Sequence, residues 1–209
     1  MTELLSADDP RLAEEGGLAQ AETQIAEALR RAGRIWPADS EEFAAVQACT
    51  EQVLAYTTNH ADALLRTSLA AHVTASAVVV AQGSDRLLLL EHTKLKRWLQ
   101  PGGHADGQGN LAAAALREAS EETGIEGLRI LVPGIDIDVH AVEIGRDSEH
   151  LHLDVRFLVI APPGAIARRN HESTGDAWVT AAELERFGAD PGLRRLANAG
   201  LALAQGLAR

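Results

Sequence analysis

At His72 the sequence changes period, and that change limits the folds open to the chain. Val73 to Val80 and Arg86 to Leu90 are β-branched or leucine-rich runs joined by Gln82-Gly83-Ser84-Asp85, which predicts two strands and a turn. A glycine-rich loop (Pro101 to Gly109), a helix (Asn110 to Thr123), strands near Leu128 to Val132, Ile135 to Ile144 and Leu151 to Ile160, and a short strand at Ala177 to Thr180 follow. Two helices close the chain, one opening at Thr180-Ala-Ala-Glu183 and one running from Pro191 to Leu207. Strands interleaved with helices predict an α/β class fold whose mixed sheet is covered on both faces, here over residues 71–209.

Upstream, residues 1–17 are polar and acid-rich and close at Gly16-Gly17, which reads as a flexible leader with frayed ends. Residues 18–70 read as an N-terminal helical extension. Leu18, Ala21, Ile25, Ala28, Leu29 and Ala32 recur at helical spacing up to Gly33, and Pro37 breaks the chain. Asp39 with Glu42 resembles a capping box ahead of the stripe Phe43, Ala45, Val46, Cys49, Val53 and Leu54, and a short third helix is expected from Ala61 to Ala70. These helices would cap a site, pair two copies into a homodimer or pad the core, and the sequence does not choose among the three.

The 209 residues carry 19 Lys plus Arg against 30 Asp plus Glu, a net charge of -11, which disfavours bulk nucleic-acid binding. An acidic substrate would need a cation to mediate. The longest apolar stretches are far too short to cross a bilayer, so no membrane partner is expected. The first ten residues lack the basic start and apolar run of a signal peptide, and the single Cys49 cannot form an internal disulfide. A cytoplasmic location is the expectation.

The chemistry concentrates in the helix after the glycine-rich loop. Asn110 is suited to its N-cap and Gly124 to its C-terminal stop, with an alanine run between. At 100° per residue, Glu118, Glu121 and Glu122 share an arc of about 100°. Like charges at such spacing destabilise a helix by about 0.2–0.5 kcal/mol per pair. Two readings account for them: a solvated acidic face offset by Arg117 pairing with Glu121, or a carboxylate cluster neutralised by a divalent ion. Oxygen ligands of this kind suit Mg²⁺ or Mn²⁺, whereas zinc would call for Cys or His. The flanking glycines favour the ion, because a backbone without side chains can approach a cation or a phosphate closely.

Gly103, then Arg117-Glu118-Ala119-Ser120-Glu121-Glu122-Thr123-Gly124-Ile125, resembles the Nudix box of the MutT-like Nudix hydrolases. The resemblance covers roughly Val73 to Phe187 and implies a Nudix-type α/β/α sandwich. One position departs: where the box carries its first Glu, this chain has Gly109. Asp106, on the same loop, either substitutes by reaching Arg117 or forms a turn before Gly107.

The resemblance implies metal-dependent hydrolysis of the pyrophosphate bond of a nucleotide or nucleoside diphosphate derivative. It assigns Glu118 and Glu122 as principal metal ligands, Glu121 as a third ligand or water-positioning base, the Gly103 carbonyl as a further ligand and Arg117 as an orienting group. Glu172, six residues ahead of Trp178, stands where many members draw an additional catalytic acid; simple loop solvation is the competing reading.

A second constellation lies on two strands. Asp136, Asp138 and His140 alternate with apolar residues, as do His150, His152, Asp154 and Arg156. A turn near Arg146-Asp147-Ser148 would set His140 about opposite Asp154 and Asp138 about opposite Arg156, building a polar face that is either solvated or the floor of a substrate cleft. Asp138, His140, His152, Asp154 and Arg156 are therefore candidate substrate-binding residues, together with His104 and Trp98, which would otherwise be a loop residue and a core residue. Lys94, Lys96 and Arg97 form a basic cluster that would steer phosphates or solvate a turn. The alternative function is a catalytically silent nucleotide-binding or sensor module, which the Gly109 departure favours. The isoprenoid-isomerase branch expects a Cys within the fold, and Cys49 lies upstream. The markers for ADP-ribose, dinucleoside polyphosphate and NADH are missing, so the substrate stays open.

Overall fold

The computed structural model describes residues 3–142 and 150–207. Among them, β1 (Glu3–Ser6), β2 (Ala71–Ala81), β3 (Leu87–His92), β4 (Trp98–Leu99), β5 (Gly102–His104), β6 (Arg129–Val142), β7 (His150–Ala161) and β8 (Ser173–Val179) join one mixed sheet. Its main path runs β1-β6-β7-β2-β3-β4, with β5 paired to β2 and β8 to β3. The β2–β7 pair is parallel, in register from Ala71 opposite Leu151 to Ala81 opposite Ala161.

Helices cover both faces, as the interleaved pattern predicts. On one face α1 (Leu18–Ile35), α2 (Glu41–Asn59) and α3 (Leu111–Thr123) share an apolar cluster with Val73, Ala75, Val79, Ile137, Val155 and Phe157 of the sheet. On the other, α4 (Pro191–Leu207) and the short 3-10 helix Ala181–Phe187 pack over Val78, Val80, Leu87, Leu89, Leu158 and Ile160. Covering from both sides explains why residues 71–80 are buried without alternation. Ala21, Ile25, Ala28 and Ala32 of α1 are fully buried, so this helix contributes to the core of the sandwich.

Four local expectations are corrected. Ala61 to Ala70 forms turns, not a helix, because its backbone is engaged elsewhere: the Ala63 carbonyl accepts from Val73 N–H at 2.8 Å and the Leu64 carbonyl from Gly107 N–H at 2.9 Å. The N-cap of α2 is Ser40, whose hydroxyl accepts from Phe43 N–H at 3.1 Å, one residue after the expected Asp39. The segment opening at Thr180 winds as a 3-10 helix, with Glu183 accepting from Thr180 N–H at 2.8 Å. The β6–β7 register sets His140 opposite His152, Asp138 opposite Asp154 and Asp136 opposite Arg156, two residues from the expected pairing. The turn assigned to Arg146-Asp147-Ser148 lies outside the described residues.

The leader is not frayed over its described part. Residues Glu3–Ser6 add β1 to the otherwise unpaired edge of β6, Leu5 opposite Ile130, and Leu5 is buried. Asp9 caps the 3-10 turn Pro10–Leu12, and Arg11 pairs with Glu3 and Asp9. The chain then lies against the loop that opens α3: Asn110 N–H donates to the Glu15 carbonyl at 2.9 Å and Gly109 N–H to the Gly16 carbonyl at 3.3 Å. A Cβ on residue 109 would overlap the backbone of Gly17. Glycine at the departing box position is thus required by the leader that fills the space. Gly109→Ala is expected to destabilise the fold by about 1–3 kcal/mol in urea unfolding, and Gly109→Glu by more.

Candidate active site

The helix α3 is capped as its sequence predicts. The Asn110 side chain accepts from Ala113 N–H at 3.3 Å, and Gly124 terminates the helix at φ 60°. Its acidic arc splits by environment. Glu122 is buried at 7% exposure, Glu118 is half-buried and Glu121 is exposed.

The strand β5 pairs antiparallel with β2, Gly103 opposite Ala75, and this brings its backbone against two of the acids. Gly102 N–H donates to Glu122 Oε2 at 3.1 Å. A Cβ on Gly103 would stand 2.6 Å from the Glu118 carboxyl carbon, so only glycine permits the approach. Arg117 donates to Glu118 Oε1 at 2.6 Å and to the His104 carbonyl at 3.3 Å, and lies 3.7 Å from Glu121. Its principal partner is therefore Glu118. Asp106 does not reach Arg117; it pairs with Arg66 and turns the loop at φ 51°, ahead of Gly107.

Glu172 joins these acids. Asn170 N–H donates to the Glu122 carbonyl at 3.3 Å and Glu172 N–H to Asn170 Oδ1 at 2.8 Å, which ties the loop to the end of α3. The exposed Glu172 brings a further negative charge near Glu122. Burial pushes the Glu122 carboxyl up from 4.5 to about 8; the Gly102 N–H opposes this, while the neighbouring Glu118 and Glu172 add to it. Burial likewise raises Glu118, against the pull of Arg117.

The second constellation is internal, not solvated. Asp136 is fully buried, Asp154 and Arg156 nearly so. Each guanidinium nitrogen of Arg156 is engaged: Nε with Asp154 at 2.8 Å, Nη1 with Asp136 at 3.3 Å and Nη2 with Asp138 at 2.9 Å. Thr74 and Ser76 hydroxyls donate to Asp154 at 3.0 and 2.7 Å. Arg195 of α4, which sequence reasoning missed, donates to Asp136 at 2.7 Å and to Asp138 at 3.1 Å. No spacing rule finds it, since of the adjacent Arg194 and Arg195 one acquires this role only once α4 docks. Burial works against ionisation of Asp138, but His140 and the guanidiniums of Arg156 and Arg195 hold its carboxyl below the usual range.

Beyond this network lie histidines. His152 has ring centroids 5.6 Å from His140, 5.4 Å from His104 and 5.0 Å from His72. Burial lowers His152 to about 3 and His104 to about 4, with neighbouring imidazoles adding to the effect, so both rings are neutral at neutral pH. Trp98 stands apart from this group, edge-on to Phe187 with centroids 5.0 Å apart. Lys94, Lys96 and Arg97 are exposed, and Arg97 pairs with Asp190.

Residues 70–199 match the NUDIX domain family. The chain belongs to that family. Over 89 residues this Nudix chain is 34% identical to a protein of Lactococcus lactis subsp. cremoris named "Probable DHNTP pyrophosphohydrolase". The match covers 42% of this chain and 52% of that one, so the chain spans about half the length of the curated relative it matches. A crystal structure of a C. elegans Ap4A hydrolase binary complex superposes with a TM-score of 0.52 at 20% identity, covering 64% of this chain and 98% of that one, and shows the shared Nudix fold. A structure of the E. coli dihydroneopterin triphosphate pyrophosphohydrolase covers 63% and 97% of the two chains at 18% identity, with a TM-score of 0.48. No helix among the described residues is long and apolar enough to cross a membrane.

Two outcomes follow from this Nudix site. The folded pKa of Glu122 lies above its unfolded value, so its contribution to stability is full below about pH 4.5 and lost as pH rises toward about 8. In thermal melts without divalent ions, wild type should lose stability relative to Glu122→Gln over that range, and added Mg²⁺ or Mn²⁺ should raise the wild-type Tm more at high pH than at low. In the ion network, Asp136→Ala leaves two buried guanidiniums short of a partner and should cost about 3–5 kcal/mol in urea unfolding.

Proposed function

We propose that this protein hydrolyses the pyrophosphate bond of a nucleotide or nucleoside diphosphate derivative with a divalent ion, Mg²⁺ or Mn²⁺. One observation carries the reading: Glu118 and Glu122 are withdrawn from water beside each other and beside Glu172, with too little cationic charge among them. Buried like charges of this kind are relieved by a hard cation, and the donor set is all oxygen. Glu118 and Glu122, with the Gly103 carbonyl, would hold the ion, and Glu121 stands at the exposed margin of the set. When bound, the ion neutralises phosphate charge and makes a coordinated water more acidic.

The chain's own residues do the remaining work. Gly102 N–H holds one Glu122 oxygen in place, and Arg117 positions Glu118 against the glycine backbone. Glu172, on the loop tethered to α3, accepts the proton of the attacking water. This role favours Glu172 over Glu121, because both acids are exposed but Glu121 lies beside Arg117, whereas the charge of Glu172 acts on Glu122. For the substrate, the half-buried His104 and His140, with Asp138, are the members of the polar face with exposure left to meet a base or sugar, while the His152 Nε2 is buried. Asp154 and Arg156 act behind them as support, their polar atoms being committed to one another and to Thr74 and Ser76. Trp98 supports the sheet edge through Phe187.

The test is phosphate or pyrophosphate release from a nucleotide panel that includes DHNTP, the compound named for the Lactococcus relative, with Mg²⁺ present. Glu122→Gln should lower kcat by at least about a hundredfold, and Glu172→Gln by about 10²–10⁴ with loss of the acidic limb of the pH profile. Glu121→Gln should cost less than either. Equal background release from wild type and Glu122→Gln would replace this reading with that of a silent nucleotide-binding module.

A further inference from the structure

The histidines at the end of the polar face form a second cluster with a different chemistry from the acids. His72 sits on β2 and His150 and His152 on β7, and the parallel register places His72 beside His152. One ring nitrogen from each of His72, His150 and His152 falls within 4.8 Å of the others. The His72–His150 and His150–His152 ring centroids are 4.9 and 5.2 Å apart.

His72 is 4% exposed, and its Nε2 has no hydrogen-bond partner. Its Nδ1 lies 3.2 Å from the Ser68 carbonyl. A carbonyl only accepts, so Nδ1 carries the proton and the Nε2 lone pair is left bare. This is how a metal-bound histidine is oriented: one nitrogen is tied to a backbone oxygen and the other presents its lone pair to the ion. His152 Nε2 is buried and unpartnered as well. Two buried nitrogens left bare are costly unless something binds them.

We infer that His72, His150 and His152 form a second metal site, selective for a borderline divalent ion of the zinc class. Three imidazoles match a three-ligand zinc geometry that leaves one position for water or an anionic oxygen. Tetrahedral Zn–N bonds of about 2.1 Å set the nitrogens about 3.4 Å apart, so separations of up to 4.8 Å close by at most about 1.4 Å on binding. Magnesium, which requires oxygen, is refused here and directed to the acids. The site stands whether or not the carboxylate cluster is catalytic, since the two share no ligand.

Untagged, chelator-stripped protein titrated with Co²⁺ in excess Mg²⁺ tests it, read by visible absorption and by metal content per chain. One Co²⁺ per chain with the intense absorption of a four-coordinate ion is expected. His150→Ala and His152→Ala each remove a ligand and should weaken it at least tenfold, since loss of even an outer-shell partner costs about 10–100-fold in metal affinity. His60→Ala, outside the cluster, and Glu122→Gln should retain it. Circular dichroism confirms folding of each variant, and half-buried His150 serves where His72→Gln fails to fold. Absence of Co²⁺ binding in excess Mg²⁺, binding undiminished in His150→Ala and His152→Ala, or binding abolished by Glu122→Gln alone would each overturn the site.

Discussion

The approach of β5 to the C-terminal half of α3 is the constraint on which the site rests. Pairing Gly102–His104 to β2 commits that backbone to the sheet, while α3 packs across the same region through Ala112, Ala115 and Ala119. The two requirements meet where Gly102 N–H reaches Glu122 and where a Gly103 side chain would collide with Glu118. Small residues on both elements make the separation short enough for two carboxylates to be buried against main chain. The raised proton affinity of Glu122 follows from that burial and not from any feature of the residue itself.

The leader belongs to the same construction. By extending the sheet at β6 and then running past Gly109, it ties the beginning of the chain to the opening of α3. Asn110 is held from three sides: its side chain caps α3, donates to the Arg11 carbonyl at 2.8 Å and accepts from Gln24 at 3.1 Å. The position that departs from the Nudix box is thus a place where backbone substitutes for a side chain. Arg117, left without a carboxylate from position 109, is oriented by Glu118 and by the His104 carbonyl.

On the other face of the sheet from α3, α4 docks a charge, Arg195, onto a floor that already holds three aspartates and Arg156. A buried network of this kind gives little net stability, but it specifies where α4 sits, because a displaced guanidinium would leave Asp136 uncompensated. It also leaves the neighbouring histidines as the polar groups of that face not absorbed by ion pairs, apart from the His140–Asp138 contact.

Much of this was legible in the residue order. The period change at His72, the capped alanine helix and the placement of Glu118, Glu121 and Glu122 on one arc depend on local geometry, which repeats wherever the same residues occur, and the box spacing carries the family with it. What the sequence could not decide is each feature that depends on a distant partner. Glu3–Ser6 look unstructured until the β6 edge offers them hydrogen bonds; Ala61 to Ala70 looks helical until Val73 and Gly107 take its carbonyls; a two-residue difference in hairpin register decides which histidine faces which. The unequal burial of three adjacent acids, and the use of Arg195, arise from docking alone, because solvation is a property of the assembled surface and not of the residue that carries the charge.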